Sequence, residues 1–379
     1  MKKLPLVFAL ASVLCAQPMI AQAQEKAPAD DWKPATSNQP GKDFPQVNSE
    51  GRVKFRLVAP EAKSVGVSFK DTGAFTKGPD GAWYGITRSL DEGFHYYTIK
   101  IDGAEVPDPN SLMYFGALRW GSAVELPAHD QDFYTIKNVP HGQLREIYFH
   151  SASTNAERRA FVYTPPGYDD NAAQRYPVLY LQHGWGENEY GWGNQGRVPE
   201  IMDNLIAAGG AKPFLIVMTY GMTNDVRFGH MNEFSIVPFE TVLVKELVPY
   251  IDSHFRTLAD QPHRAMAGLS MGGMETKTIT LKDLDTFSAI GLFSGGSIKP
   301  ADIADLNAFK AANKLVFVGY GSREVEGGKT RRGDDPKADC DALQAAGINA
   351  HYYVSPNTAH EWLSWRRDLR EFAPLLFKD

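Results

Sequence analysis

Gly268-Leu269-Ser270-Met271-Gly272 sets a serine at the centre of a Gly-x-Ser-x-Gly pattern. The residues before it, His263-Arg264-Ala265-Met266-Ala267, are mostly apolar and suit a short buried strand. Those after it, Met274-Glu275-Thr276-Lys277-Thr278-Ile279, suit the first turns of a helix. A serine on a sharp strand-to-helix turn is a nucleophile elbow, and its flanking glycines leave room for the turn and for close helix packing. Five residues can also match in an ordinary loop, so the pattern gains chemical meaning only from partners elsewhere in the chain.

A serine hydroxyl is a weak nucleophile at neutral pH. It needs a base, and the base needs an acid to orient it. On a nucleophile-elbow sheet these follow in the order Ser, Asp or Glu, then His. His360 lies between the strand-like Ala350-His351-Tyr352-Tyr353-Val354 and the helix-like Trp365-Arg366-Arg367-Asp368-Leu369. It therefore sits on a strand-to-helix loop and is free to reach Ser270, whereas His351 falls inside the strand. Of the 10 histidines, His360 is the expected base.

The acid is sought after Lys314-Leu315-Val316-Phe317-Val318-Gly319, a continuous apolar run that predicts a buried parallel strand. Functional groups of doubly wound sheets gather beyond the carboxyl ends of such strands. Glu324 stands nearest that end and is the expected acid, with Glu326, Asp334 and Asp335 as alternatives on the same loop. The oxyanion of the transition state calls for two N–H donors. One is expected from Met271, directly after the nucleophile. The other is expected from Trp185, where Val178-Leu179-Tyr180-Leu181-Gln182 runs into His183-Gly184-Trp185-Gly186.

Gly191-Trp192-Gly193-Asn194-Gln195-Gly196 has the spacing of a dinucleotide-binding loop, but Glu187-Asn188-Glu189-Tyr190 before it is polar rather than a strand. A tryptophan between the first two glycines would also obstruct a pyrophosphate. No nucleotide cofactor is expected. His-Glu-x-x-His and comparable ligand spacings do not occur, and no metal is expected either.

The 379 residues are 43% hydrophobic and 22% charged, an ordinary globular balance with length for two domains. Met1-Lys2-Lys3, an apolar run through Leu14, and Ala21-Gln22-Ala23 read as a secretory signal peptide over residues 1–23. Its apolar run is too short to span a membrane, and no later segment is long and apolar enough. Export to the periplasm or the outside is expected. Loss of the leader removes Lys2 and Lys3 and no acid, taking the net charge from −6 to −8, which disfavours nucleic acid as a partner. It also removes Cys15 and leaves Cys340 alone, so no intramolecular disulfide is expected.

Residues 24–46, rich in Ala, Pro, Gln, Asp and Lys, read as a linker. Residues 47–130 show short alternating segments at 52–58, 64–69, 83–87 and 94–101, which predict a small antiparallel β-sandwich. Its aromatics Trp83, Tyr96 and Tyr97 could serve glycan binding, and are read instead as core or interface residues. A second linker is placed at 131–144, and from 145 to 379 strands alternate with helices. Helices are predicted at 198–208 and 239–255. In the second, Phe239, Leu243, Leu247, Ile251 and Phe255 form an i, i+4 stripe, with a bend or split expected at Pro249. The fold expected is an α/β-hydrolase doubly wound sheet preceded by a small all-β, immunoglobulin-like sandwich.

Four stretches together resemble carbohydrate esterase family 1, which includes feruloyl and acetylxylan esterases. They are Tyr180-Leu181-Gln182-His183-Gly184-Trp185-Gly186, Asn194-Gln195-Gly196-Arg197, Gly268 through Gly273, and His360-Glu361-Trp362 through Trp365-Arg366. The resemblance covers roughly residues 145 to 379. Gly51-Arg52-Val53-Lys54-Phe55-Arg56-Leu57 with Ala59-Pro60 resembles the family 48 carbohydrate-binding, or early-set, sandwich often fused to such esterases. The family commonly has Asp as its acid, where this chain offers Glu324. The resemblance implies release of ferulate or a related hydroxycinnamate from plant cell-wall arabinoxylan through an acyl-enzyme. The residues by themselves reach only serine ester hydrolysis. Trp185, Trp192, Tyr220 and Trp362 would suit a phenolic acyl group, with packing the alternative reading of each, and Gln195 is a further candidate contact. The competing readings are an acetylxylan esterase, a siderophore esterase of the enterobactin type and a non-catalytic glycan-binding protein.

Overall fold

Eight strands build the main sheet of the computed structural model, which describes residues 29–378 except 71, 73 and 224–232. The expected signal peptide lies outside the described residues. In chain order the strands are β1 (Gln143–Ser151), β2 (Ala156–Thr164), β3 (Val178–Gln182), β4 (Leu215–Thr219), β5 (Arg264–Leu269), β6 (Ala289–Phe293), β7 (Leu315–Gly321) and β8 (Ala350–Ser355). They lie side by side as β1-β2-β4-β3-β5-β6-β7-β8. The β1–β2 and β2–β4 pairs are antiparallel, and all the others are parallel. Strands β3, β4, β6 and β7 are buried at every residue, because helices cover both faces of a parallel sheet.

One face is covered by the helices Val198–Ala207 and Trp362–Phe372, through Ile201, Met202, Leu363, Leu369 and Phe372. The other is covered by residues 237–254 and by Met271–Lys282, through Phe239, Leu243, Leu247, Ile251 and Ile279. The predicted stripe over 239–255 is thus the buried face of its helix. That helix is interrupted: Val237–Glu240 and Val248–His254 are α-helical, and Thr241–Leu247 between them is a π turn. Pro249 cannot donate to the preceding turn, and the wider π turn just before it accommodates the missing bond.

The N-terminal region is all β. Five short strands pack in the order Lys33–Pro34, Gln46–Val47, Val53–Val58, Ala82–Ile86, Thr76–Lys77. Opposite them lie two three-stranded sheets, one of Met113–Gly116, Arg119–Leu126 and Gly93–Tyr97, the other of Val65–Val67, Ile99–Ile101 and Ala104–Val106. Val53, Phe55, Leu57, Tyr97, Val124 and Leu126 form the core between them.

Two expectations need correction. Part of the 24–46 linker belongs to this fold: Lys33–Pro34 pairs with Gln46–Val47, Ala35 is buried, and Ser37 Oγ accepts the Glu125 N–H. Two-residue strands leave no alternating pattern, and a proline is tolerated on an edge strand, so composition concealed them. The 131–144 linker is docked rather than loose. Asn204 Nδ2 donates to the carbonyls of Phe133 and Thr135, Tyr134 is buried in the main core, and β1 already begins at Gln143.

The N-terminal region and the main sheet meet through buried charge. Arg366, fully buried, donates to both Glu125 oxygens at 2.8 and 3.0 Å and to the Gln195 carbonyl at 2.8 Å. Next to it Arg367 pairs with Asp130 and Glu92. Glu92, His129 and Asp130 come close enough to hold a cation, but the Arg367 guanidinium already bonds both carboxylates.

Candidate active site

The parallel register aligns the carboxyl ends of β3, β5, β6 and β7 along one edge: Gln182 lies opposite Gly268, Leu269 opposite Phe293, and Phe293 opposite Gly319. β8 ends on the same edge, with Gly321 opposite Ser355, and the groups of the site hang from these strand ends.

Ser270 is the turn between β5 and the helix Met271–Lys282 and has φ 52° and ψ −112°. Such a conformation costs a non-glycine residue about 1–3 kcal/mol and persists only where its surroundings impose it. Here the Ser270 N–H is held by the Phe293 carbonyl at 2.8 Å. A Cβ on Gly268 would stand 2.4 Å from the Gly272 backbone, and one on Gly272 would stand 2.6 Å from the His183 carbonyl oxygen. Both glycines of the pattern are required by packing. Met271 opens the helix, so no helical carbonyl takes its N–H.

Ser270 Oγ lies 2.9 Å from His360 Nε2, and His360 Nδ1 lies 2.7 Å from Glu324 Oε1. With the Nδ1 proton donated to the carboxylate, Nε2 is left to accept the serine proton. Glu324 ends a short 3₁₀ turn, Ser322–Glu324, directly after β7. Its other oxygen accepts from Ser294 Oγ at 2.6 Å and from the Gly321 N–H at 2.9 Å. Burial pushes this carboxyl up, but the His360 bond and charge, the Ser294 hydroxyl and the Gly321 N–H outweigh it and hold the group below its ordinary value. Glu324 is thus kept ionised. Trp365 Nε1 donates to Ser294 Oγ at 3.1 Å, and the Trp365 ring stands edge-on to His360.

The structure therefore brings Ser270, His360 and Glu324 together. Among the alternative acids, Asp334 is engaged by Lys299 and Asp335 caps the helix Pro336–Ala345. The loop after β3 also reaches the serine: a Cβ on Gly184 would lie 3.5 Å from Ser270 Cβ, and Trp185 is the next residue. Trp185 is half-buried and packs with Met222, Met271, Tyr220 and Phe234 as an apolar wall. Tyr220 stacks on His183. Tyr220 also borders a cleft of about 450 Å³ whose lining includes Phe115, Tyr148, Arg158 and Asn188 but neither Ser270 nor His360.

Three candidate contacts are not where the sequence reading put them. Trp192 and Trp362 are each 1% exposed, and Gln195 is fully buried. Trp192 Nε1 donates to the Gln182 carbonyl, Trp362 Nε1 to Tyr96 Oη, and Gln195 Nε2 to Tyr96 Oη and the Phe115 carbonyl. They fasten the loops behind the site to the core and to the N-terminal region. An aromatic-rich loop looks the same in sequence whether its rings face a ligand or a neighbouring domain.

Sequence reading missed Ser294, Trp365, His183 and Glu187. Ser294 carried a faint signal, directly after an apolar strand in Ser294-Gly295-Gly296. His183 is buried and neutral, with Nδ1 donating to the Gly184 carbonyl and Nε2 accepting the Gly221 N–H. Burial pushes its imidazole down to about 4. It joins the loop after β3 to the loop after β4.

Glu187 is buried, and burial pushes its carboxyl up to about 7 despite the Gly184 N–H and the Tyr96 hydroxyl. Folding thus tightens proton binding at this group. The stability it contributes is complete below the ordinary glutamate value and is lost as pH rises through about 7. A rise of that size corresponds to about 3 kcal/mol. Unfolding free energies of the wild type minus those of Glu187→Gln should accordingly fall by about 3 kcal/mol between pH 4.5 and 8. Denaturant titrations across that range check this, and a flat difference curve would contradict it.

A family model described as putative esterase matches residues 151–375. An endo-1,4-beta-xylanase/feruloyl esterase of Xylanibacter ruminicola is 48% identical over 367 residues, which cover 94% of this chain and 49% of that protein. The chain spans about half the length of that curated relative. A solved ferulic acid esterase is 25% identical with a TM-score of 0.50, covering 62% of this chain and 98% of its own. The enterobactin esterase of Shigella flexneri is similar in fold, at 17% identity and a TM-score of 0.61, over 86% of this chain and 92% of its own. The matched residues 151–375 run from the end of β1 through the last helix and include Ser270, Glu324 and His360. The chain belongs to the putative esterase family, the direction in which its resemblance to carbohydrate esterase family 1 pointed.

Proposed function

We propose that this protein is an exported serine carboxylic-ester hydrolase that releases ferulate or a related hydroxycinnamate from plant cell-wall arabinoxylan. The observation that carries the chemistry is the relay of 2.9 Å from Ser270 Oγ to His360 Nε2 and 2.7 Å from His360 Nδ1 to Glu324. Ser270 attacks the ester carbonyl while His360 takes the hydroxyl proton. Glu324 holds the imidazole in the right tautomer and stabilises the imidazolium. The N–H groups of Met271 and Trp185 receive the oxyanion, a contribution worth roughly 3–4 kcal/mol per donor in comparable sites. The tetrahedral intermediate then collapses, His360 gives the proton to the departing sugar oxygen, and the feruloyl group stays on Ser270. Water attacks this ester as it gives a proton to His360, and collapse returns that proton to Ser270 Oγ and frees the acid.

The choice of acyl group is supported by the identity with a relative whose name pairs xylanase with feruloyl esterase. The half-buried rings of Trp185 and Phe234, edge-on to one another, suit a phenolic ring better than an acetyl group. Chromatography of the acids released from arabinoxylan oligosaccharides that carry both feruloyl and acetyl esters tests the reading. Ferulate is expected. Acetate alone would make the protein an acetylxylan esterase. Neither acid, with hydrolysis of ferric enterobactin, would make it a siderophore esterase, and no hydrolysis of any ester would leave a glycan-binding protein.

A further inference from the structure

Three residues from distant parts of the chain converge behind the reacting groups on the hydroxyl of a fourth, Tyr96. Tyr96 belongs to the N-terminal strand Gly93–Tyr97. The residue is 38% exposed, but its hydroxyl enters a space walled by Gln195 and Trp362, both buried. The hydroxyl accepts from Gln195 Nε2 at 2.7 Å and from Trp362 Nε1 at 3.1 Å, and it donates to Glu187 Oε1 at 3.1 Å. Both lone pairs of the phenol are taken, and its one proton points to Glu187, with the Phe115 carbonyl a more distant acceptor at 3.4 Å.

Each partner leads to a different part of the site. Glu187 Oε2 accepts the Gly184 N–H at 3.3 Å, which ties Tyr96 to the turn that presents Trp185 beside Ser270. Trp362 is two residues after His360 and opens the helix that follows it. The indole of Trp362 packs edge-on against Trp192 and against Trp365, and Trp365 in turn stands edge-on to His360. Gln195 holds the next stretch of the β3 loop to the Phe115 carbonyl of the N-terminal region.

We propose that Tyr96 is a positioning residue for catalysis: its hydroxyl sets the loop of the second oxyanion donor and the loop of His360 relative to each other. The N-terminal β region is then a working part of the esterase site and not only an appended domain. The inference rests on the catalytic reading of Ser270, His360 and Trp185 given above. Displacement of a catalytic group by about 1 Å costs on the order of 100-fold in rate, whereas the hydroxyl itself is taken up by Gln195, Trp362 and Glu187 behind the site and offers the ester no contact to lose. Removing the hydroxyl should therefore lower kcat and leave KM nearly unchanged.

The test is Tyr96→Phe in the full chain, which keeps the ring and its packing on Phe94. It is assayed on methyl ferulate beside Glu187→Gln, the double variant and Ser270→Ala. Rates of the variants that keep Ser270 are expressed per active site by titration with a fluorophosphonate, and those of Ser270→Ala per mole of folded protein. Tyr96→Phe is expected to lose about 10- to 100-fold in kcat with KM within about 2-fold. The double variant should be no slower than the slower single variant, because both break one linkage. A kcat per active site equal to that of the wild type would overturn the proposal. So would losses that multiply in the double variant. Should Tyr96→Phe not accumulate as folded protein, Glu187→Gln alone decides by the same kcat and KM criterion. Ser270→Ala separates the two levels of the argument. If it retains activity, the reading of the site fails. If it is inactive while Tyr96→Phe and Glu187→Gln match the wild type, only the role of Tyr96 fails.

Discussion

Ser270→Ala is expected to lower kcat/KM for methyl ferulate by roughly 10⁴- to 10⁶-fold while the melting temperature stays within a few degrees of wild type. The size of the effect follows from the chemistry. Without the hydroxyl no acyl-enzyme forms, and His360 and the N–H donors can act only on a water that nothing holds in place. Stability should barely respond, since Ala and Ser meet the same backbone strain at φ 52° and the lost bond to His360 lies at a half-exposed ring. Progress curves at high enzyme concentration, with melting followed by circular dichroism, give both quantities.

Arg366→Met is expected to destabilise the protein by about 3–5 kcal/mol, the cost of leaving a buried partner charge uncompensated. Arg366 meets no solvent, and Glu125 is only 6% exposed. The guanidinium makes two bonds to Glu125 and one to the Gln195 carbonyl, and it lies over the Tyr134 ring at 4.5 Å. Removing it strands the Glu125 carboxylate between the N-terminal region and the helix Trp362–Phe372. Arg366→Met combined with Glu125→Leu should recover much of the loss, because the desolvation of two charges offsets most of what their pairing gains. Urea unfolding of the wild type and both variants measures this. A loss under about 1 kcal/mol for the single variant would show that the pair is solvated in solution.

Which residues come together at the candidate site was easier to read than the joints of the chain. Ser270 sits in a local pattern that demands a strand before and a helix after, and both have recognisable residues. His360 and Glu324 could be picked out because catalytic loops follow strands, and the strands at 314–319 and 350–354 are continuous apolar or aromatic runs. Hydrophobic periodicity likewise gave the helix beginning at Val237 its buried face, and Pro249 marked the place where it changes form. What remained illegible depends on contacts between residues far apart in the chain. Gln195 and Trp362 are buried because Tyr96 covers them, and those bonds span 99 and 266 positions, too far for any local pattern to register. Lys33–Pro34 is a strand only because Gln46–Val47 lies beside it. Glu187, in a polar stretch, looks like any solvated acid until the Gly184 turn and Tyr96 close over it.

An ester whose acyl group passes through Ser270 leaves it there as a covalent adduct during turnover. Mass spectrometry of the protein acid-quenched during turnover of methyl ferulate, followed by peptide mapping, detects it. One feruloyl group is expected on the peptide that contains Gly268-Leu269-Ser270-Met271-Gly272, and none on Ser270→Ala. Turnover without any acyl adduct there, or with the feruloyl group on another side chain, would contradict passage through Ser270.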